Sequence, residues 1–534
     1  MNGTAQGRRR LAALGTAAVA ALGLALVPAI AASAQSVRHS ADSVSPRDLP
    51  VPSGAIKHIM VIELENESES ETFGSGSPAT YLNDTLLPQG ELLQNYYAVG
   101  HVSLDNYLAQ VSGQAPNQFT SSDCVSSLTS LEGSYNDVTP GTLDPDQKLY
   151  PGQVDGQGCV FPASVQTIGN QLDRAYPRTI DSDWREYAED MGNDPARDGG
   201  QADPLGGTDC AHPTQVSGIG TDDTNNAEGP NATGTQVKST TVDQYADRHN
   251  PFIYFHSVTD SKWLCDHDVV PLGTETTSSA GTITYHGHLA QDLAHTWTTP
   301  RFSFITPNLC DDGHDATCAG FNDAGGTTGG LAGADDFLRT WMPLILNSPA
   351  YRNGSMLVMI TFDEGGTTDT SAGDNEQPGP NSANPGYSPL LNIPIAAYGG
   401  LTYYDLLGIT GLTPNQEPPA GTMPGGGKVG AVILNRLWIK PGSVDTAGSY
   451  NHYSALRTFE DLLGISFGGA DGHGHLGFAA TATDFGPDVF NARPHFPLAR
   501  CSKDCPSPAA VSWTGCYSLA GRVRRARQLV PPAL

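Results

Sequence analysis

The stretch that most limits the fold is residues 355–362, S-M-L-V-M-I-T-F. Its apolar side chains follow one another without alternation, so both faces of such a strand must be covered. It belongs at the centre of a sheet held between helices. Asp363, Glu364, Gly365 and Gly366 follow directly. Two acids at the end of a central buried strand are costly to desolvate unless they bind something. Residues 56–64, I-K-H-I-M-V-I-E-L, have the same character and run into Glu65-Asn66-Glu67-Ser68. Further strands are expected at 252–255, from 302 into the loop ending at 315, at 393–398 and at 429–434. Helices are expected at 78–94, near 163–174, at 334–346 and behind Asn451-His452. Strands alternating with helices predict an α/β chain with a mainly parallel sheet and helices on both faces. With 534 residues, 38% of them hydrophobic and 16% charged, the chain can bury a large core.

In open α/β sheets, ligands bind outside the carboxyl ends of the strands. Residues 95–117, N-Y-Y-A-V-G-H-V-S-L-D-N-Y-L-A-Q-V-S-G-Q-A-P-N, read as a short strand, a turn crowded with His101, Ser103, Asp105 and Asn106, and a helix. Leu104, Tyr107, Leu108 and Val111 recur at helical spacing. Ser103 would stand at the helix start, where unpaired N–H groups and the dipole favour anions. Taken alone, it reads as an ordinary N-cap serine. The 302–315 segment ends in a loop presenting Asn308, Asp311, Asp312, His314 and Asp315. Asp312 and His314 are equally a divalent-metal pair or a solvated acidic turn. His452, at the start of the last helix, is more often a cap or core-edge residue than a ligand.

Each signal is weak alone, but together they occupy several strand ends and suit phosphoryl transfer. A metal on Glu65, Asn66, Asp363 and Glu364 could touch the Ser103 oxygen, lower its pKa and neutralise a phosphate oxygen. Asn106, about one helical turn after Ser103, could face the same phosphate.

These motifs resemble the secreted bacterial phosphoesterase family of acid phosphatases and phosphatidylcholine-type phospholipases C, within the alkaline-phosphatase-like superfamily. The matching runs are H-I-M-V-I-E-L-E-N-E-S, Y-A-V-G-H-V-S-L-D-N-Y, H-N-P-F-I-Y-F, F-I-T-P-N-L-C-D-D-G-H-D, I-T-F-D-E-G and N-H-Y-S-A-L-R-T-F-E-D-L-L-G, in the family's order. The resemblance implies a three-layer α/β/α fold and a phospho-serine intermediate on Ser103. It implies metal ligation by Glu65, Asn66, Ser103, Asp363 and Glu364, with Asp312, His314 and His452 on the second-metal or leaving-group side. All-oxygen ligands suit calcium, manganese or iron(II) as well as zinc. Glu69 stands where the family often has a bulky aromatic. The turn H-V-S-L-D-N lacks the T-D-P-G-H pattern of the phospholipases. Too little chain follows residue 480 for their C-terminal domains. The last two points favour an acid phosphatase acting on small phosphate esters. A phospholipase C and a non-catalytic binding protein are the alternatives, although the intact Ser103 and D-E-G argue against the latter.

The rest of the chain supports an exported enzyme. Arg8-Arg9-Arg10, an apolar run and Ala32-Ser33-Ala34 form a secretion signal over residues 1–34, by the general or the twin-arginine route. A loose leader covers 35–55, the catalytic domain 56–480 and a tail 481–534 that turns basic from residue 492. Residues 118–250 look like a loop-rich, disulfide-bearing insertion. Of nine cysteines, sequence order suggests the pairs 124–159, 210–265 and 310–318, without fixing the connectivity. A net charge of −28 argues against nucleic-acid binding, and no other stretch approaches a membrane span.

Overall fold

The computed structural model describes residues 49–101, 103–117, 119–124, 135–143, 152–177, 183–192, 201–213, 215–216, 219–220, 245–314, 329–365 and 426–492. Residues 1–34, the leader to residue 48, the strand expected at 393–398 and the tail from 493 lie outside them.

The core is one eight-stranded sheet. Its strands in chain order are β1 (His58–Leu64), β2 (Glu91–Leu93), β3 (Trp184–Ala188), β4 (Val269–Pro271), β5 (Phe302–Thr306), β6 (Met356–Phe362), β7 (Ala431–Leu434) and β8 (Ser443–Asp445). Across the sheet the order is β4-β3-β5-β1-β6-β7-β2-β8. Only the β6–β7 and β7–β2 pairings are antiparallel, so β7 alone runs against the other seven strands. Every residue of β1 and β6 is buried, as their unbroken apolar runs require. Among the helices are α1 (Ser103–Ser112), α2 (Ile168–Ala175), α3 (His288–Asp292), α4 (Gly330–Asn347) and α5 (His452–Leu462).

Side-chain contacts show that both faces are covered. Tyr107 of α1 meets Phe304, and Phe459 of α5 meets Phe302, so these helices share one face. Tyr187 of β3 pairs with Ile305, one position beyond Phe304, so it points to the other face, where it donates to Asp292 of α3 at 2.6 Å. This is the three-layer α/β/α arrangement.

Two local expectations fail for physical reasons. Residues 78–94 are not one helix. Two short helical turns, Leu82–Leu86 and Leu87–Gln89, end near Pro88 and Gly90, and Glu91–Leu93 pairs into the sheet. F-I-Y-F is not a strand but part of a 3₁₀ turn over Pro251–Tyr254. Short apolar runs are ambiguous by periodicity, and a proline at the first helical position presets the helical φ. Trp184–Ala188, inside the loop-rich 118–250 stretch, is a fully buried strand between β4 and β5. The disulfides Cys124–Cys159 and Cys210–Cys265 are present. The third expected pair needs Cys318, outside the described residues. Among the described residues, no helix is long and apolar enough to cross a membrane.

Candidate active site

The sheet register builds the site. β1 and β6 pair in parallel up to Leu64 opposite Phe362, so Glu65 and Asp363 leave the sheet side by side. The Asp363 N–H donates to the Leu64 carbonyl at 2.9 Å, and the Asn66 N–H donates to Asp363 Oδ1 at 2.9 Å. To make that bond Asn66 takes a left-handed backbone, φ 51°, which asparagine tolerates better than most residues. On the other side of β1, the loop after β5 supports Glu65, whose N–H donates to the Asp312 carbonyl at 2.9 Å.

Ser103 opens α1 and is buried. Its Oγ donates to Glu65 Oε2 at 2.9 Å. The second oxygen, Oε1, accepts the Tyr107 hydroxyl at 2.6 Å and lies 3.1 Å from His249 Nε2. The His249 ring stacks on Tyr107 with an interplanar angle of 4°, and its Nδ1 is 3.7 Å from Asp312 Oδ2. His101 contacts Glu364 through its Nδ1.

These carboxylates are buried at a cost. Burial, then the Asp363 charge, pushes Glu65 well above the ordinary carboxylate range, against the pull of His314, Arg248 and the Tyr107 bond. Burial, then Glu364, does the same to Asp363. Asn66 Oδ1 and Asp363 Oδ2 are buried with no hydrogen-bond partner. Two orphaned oxygens on adjoining strand ends, beside carboxylates short of positive charge, fit a divalent cation with oxygen ligands. Glu65, Asn66, Ser103, Asp363 and Glu364 are the residues able to hold it.

Two sequence-predicted residues bond to backbone. The Asn106 side chain is engaged by the turn before α1. Its Oδ1 accepts from Val99 and Gly100 N–H at 2.9 and 3.1 Å, and its Nδ2 donates to the Gly100 carbonyl at 2.9 Å. The turn before α1 has backbone groups to satisfy in a buried setting, and Asn106 satisfies three of them. His452 lies behind the site. Its Nε2 donates to the Asp363 carbonyl at 2.7 Å, leaving Nδ1 to accept from Tyr96 at 3.1 Å. Burial pushes His452 down to about 4, so it is neutral and holds backbone. Asp312 sits at the His249 side, its Oδ1 taking the His314 N–H at 2.9 Å, and His314 is exposed at the rim.

Tyr107, His249, His101 and Arg248 were not expected in the site. His249 heads the H-N-P-F run and Tyr107 follows Ser103 by one helical turn, so both signals were present. A separate group, Asp203, Asp209 and His288, brings potential ligand atoms within 4.8 Å of one another. Arg185 lies 2.7 Å from His288 Nδ1 there, where a metal-ligating histidine would normally donate to an acceptor.

Over 284 residues the chain is 28% identical to a phosphate-repressible acid phosphatase of Penicillium chrysogenum, covering 53% of this chain and 43% of that protein. An acid phosphatase of Aspergillus fumigatus is 24% identical over 282 residues, 53% of this chain and 40% of that one. The chain thus spans about two fifths of the length of these curated relatives. A solved structure of an alkaline-phosphatase-superfamily protein from Vibrio parahaemolyticus aligns with 79% of this chain and 71% of that one at 11% identity, with a TM-score of 0.32. The family model described as the phosphoesterase family matches residues 85–466, more than half of the chain, and the chain belongs to that family.

Proposed function

We propose that this chain is an exported, metal-dependent acid phosphatase that hydrolyses small phosphate monoesters through a phospho-serine on Ser103. The observation that carries the reading is the buried Ser103 Oγ, 2.9 Å from a carboxylate oxygen of Glu65, whose strand end also carries the orphaned Asn66 Oδ1 and pairs with the one carrying the orphaned Asp363 Oδ2. A divalent cation held by Glu65, Asn66, Ser103, Asp363 and Glu364 would supply positive charge that favours the serine alkoxide and offsets phosphate charge. The chain's own residues do the rest. Ser103 Oγ loses its proton towards Glu65 Oε2 and attacks phosphorus, and the ester oxygen leaves as an alcohol after protonation from the exposed His314 side. The start of α1 presents positive dipole to the transferred group. Water then cleaves the phospho-serine, restoring the Ser103 hydroxyl and releasing phosphate. His452 and Asn106 act as positioning residues, one holding the Asp363 backbone and the other the turn before Ser103.

A lipid substrate has weaker support. The exposed Trp263 lies on the Lys262–Asp268 helix, which runs straight into β4, three strands from β1 and so about 14 Å across the sheet. An apolar lip there would not border Ser103. The test is hydrolysis of a small monoester beside phosphatidylcholine, by wild type and Ser103→Ala, with and without chelator. Monoester turnover lost in both perturbations supports the proposal. Turnover of the lipid alone makes the enzyme a phospholipase C, and turnover of neither makes it a binding protein.

A further inference from the structure

The carboxylates around Ser103 raise a problem for substrate binding. Glu65, Asp312, Asp363 and Glu364 are all buried within one site, and a phosphate dianion must enter among them. A cation offsets part of that charge, and the structure holds a second source of positive charge at the same place. Arg248 directly precedes His249, and its side chain is only 14% exposed. Its charge acts on Glu65, and Asp123, Glu65, Asp312 and Asp247 keep it ionised despite burial.

Two independent contact chains connect Arg248 to Ser103. One passes through His249, 3.1 Å from the Glu65 carboxylate that takes the Ser103 hydroxyl. The other passes through Asp123. Its Oδ1 accepts the N–H of Leu104, the peptide next to Ser103, at 2.8 Å, and its Oδ2 lies 3.7 Å from Arg248 Nε. That second distance exceeds a hydrogen bond, so Asp123 orients the guanidinium by charge. Asp123 and Cys124 both have left-handed backbones, φ 51° and 58°, and the Cys124–Cys159 disulfide anchors the pair.

A planar guanidinium matches two phosphate oxygens at once, which a point charge does not. We infer that Arg248 grips the non-bridging phosphoryl oxygens, and that Asp123 is a positioning residue coupling this grip to the start of the Ser103 helix. The inference rests on the phosphatase reading above and adds the residue that binds the phosphate.

The experiment uses metal-loaded full-length enzyme: wild type, Arg248→Gln, Arg248→Lys and Asp123→Asn. It measures metal content, kcat and KM on a small monoester, and inhibition by inorganic phosphate. Charge-assisted hydrogen bonds of this kind correspond to about ten- to hundredfold in affinity. Arg248→Gln should keep its metal while its phosphate inhibition constant rises about ten- to hundredfold. Arg248→Lys should recover only part of the loss, and Asp123→Asn should weaken phosphate without releasing metal. An Arg248→Gln enzyme that binds phosphate within twofold of wild type overturns the inference. So does one whose loss of activity follows loss of metal. If Arg248→Gln does not fold, a wild-type phosphate constant in Arg248→Lys overturns it instead. A wild type that turns over no monoester sinks the phosphatase reading itself, which is a distinct result.

Discussion

Replacing Tyr107 by phenylalanine isolates one atom of the proposed mechanism. The ring stays, and with it the stack on His249. Only the hydroxyl that donates to Glu65 Oε1 at 2.6 Å is lost. Burial, then the Glu65 charge, keeps that hydroxyl protonated and donating. Burial already pushes Glu65 up, and the Tyr107 bond is one of the few effects that pull it down. Without the bond, the carboxyl holds its proton to higher pH and cannot accept the Ser103 proton there. The acid limb of kcat/KM must therefore move to higher pH in Tyr107→Phe. A hydrogen bond to a charged group contributes about 1.5–3 kcal/mol, so the rate on the acid limb should fall about ten- to hundredfold. Well above the limb, the variant should approach wild type. The assay is a pH profile of monoester hydrolysis at fixed metal. An acid limb unmoved in the variant would refute the role of Glu65 as proton acceptor.

Asn106→Ala should lower stability through three lost buried hydrogen bonds, at about 1 kcal/mol or more each, read as a lower denaturant midpoint with unchanged slope. Unchanged stability with weakened phosphate binding would favour the reading in which Asn106 faces substrate. Removing Cys124–Cys159, which closes a 35-residue separation, should cost about 4 kcal/mol by chain entropy, measured by unfolding of the double alanine variant. Burial depresses His475, but its bonds to Asp461 and Asp471 outweigh that and hold it at about 9. Its contribution to stability is therefore full below pH 6.5 and lost as pH rises through about 9. His475→Gln should remove that alkaline decline, and an identical decline in the variant would contradict the assignment. Protein secreted by an expressing host should begin near residue 35, as N-terminal sequencing would show, whereas an intact residue 1 in the exported material would count against cleavage there.

What the sequence made legible follows from the kind of signal each residue carried. Glu65, Asn66, Asp363 and Glu364 were readable because each follows a strand whose unbroken apolar run places it at the sheet centre. Ser103 was readable because its helix has a clear apolar face and a short strand before it. His249 is not legible as a site residue, although it heads the H-N-P-F run, because nothing local says that this loop returns to Glu65. That contact spans 184 positions of sequence and exists only through packing. The backbone partners of Asn106 are not legible because helical spacing fixes the side of the helix but not the partner, and the groups of Val99 and Gly100 take its amide. The 184–191 run reads as an ordered part of the 118–250 stretch, but not as a buried strand, because Arg185 and Glu186 look like surface residues. In the fold Arg185 pairs with Asp292, and Glu186 accepts from Thr306.

The most direct test of the central claim is to quench the metal-loaded enzyme in acid during turnover of a small monoester and map any phosphate adduct by mass spectrometry. The account predicts phosphate on the peptide carrying Ser103, absent from Ser103→Ala and after chelation. Turnover in wild type with no adduct on Ser103, or undiminished turnover in Ser103→Ala, would contradict it.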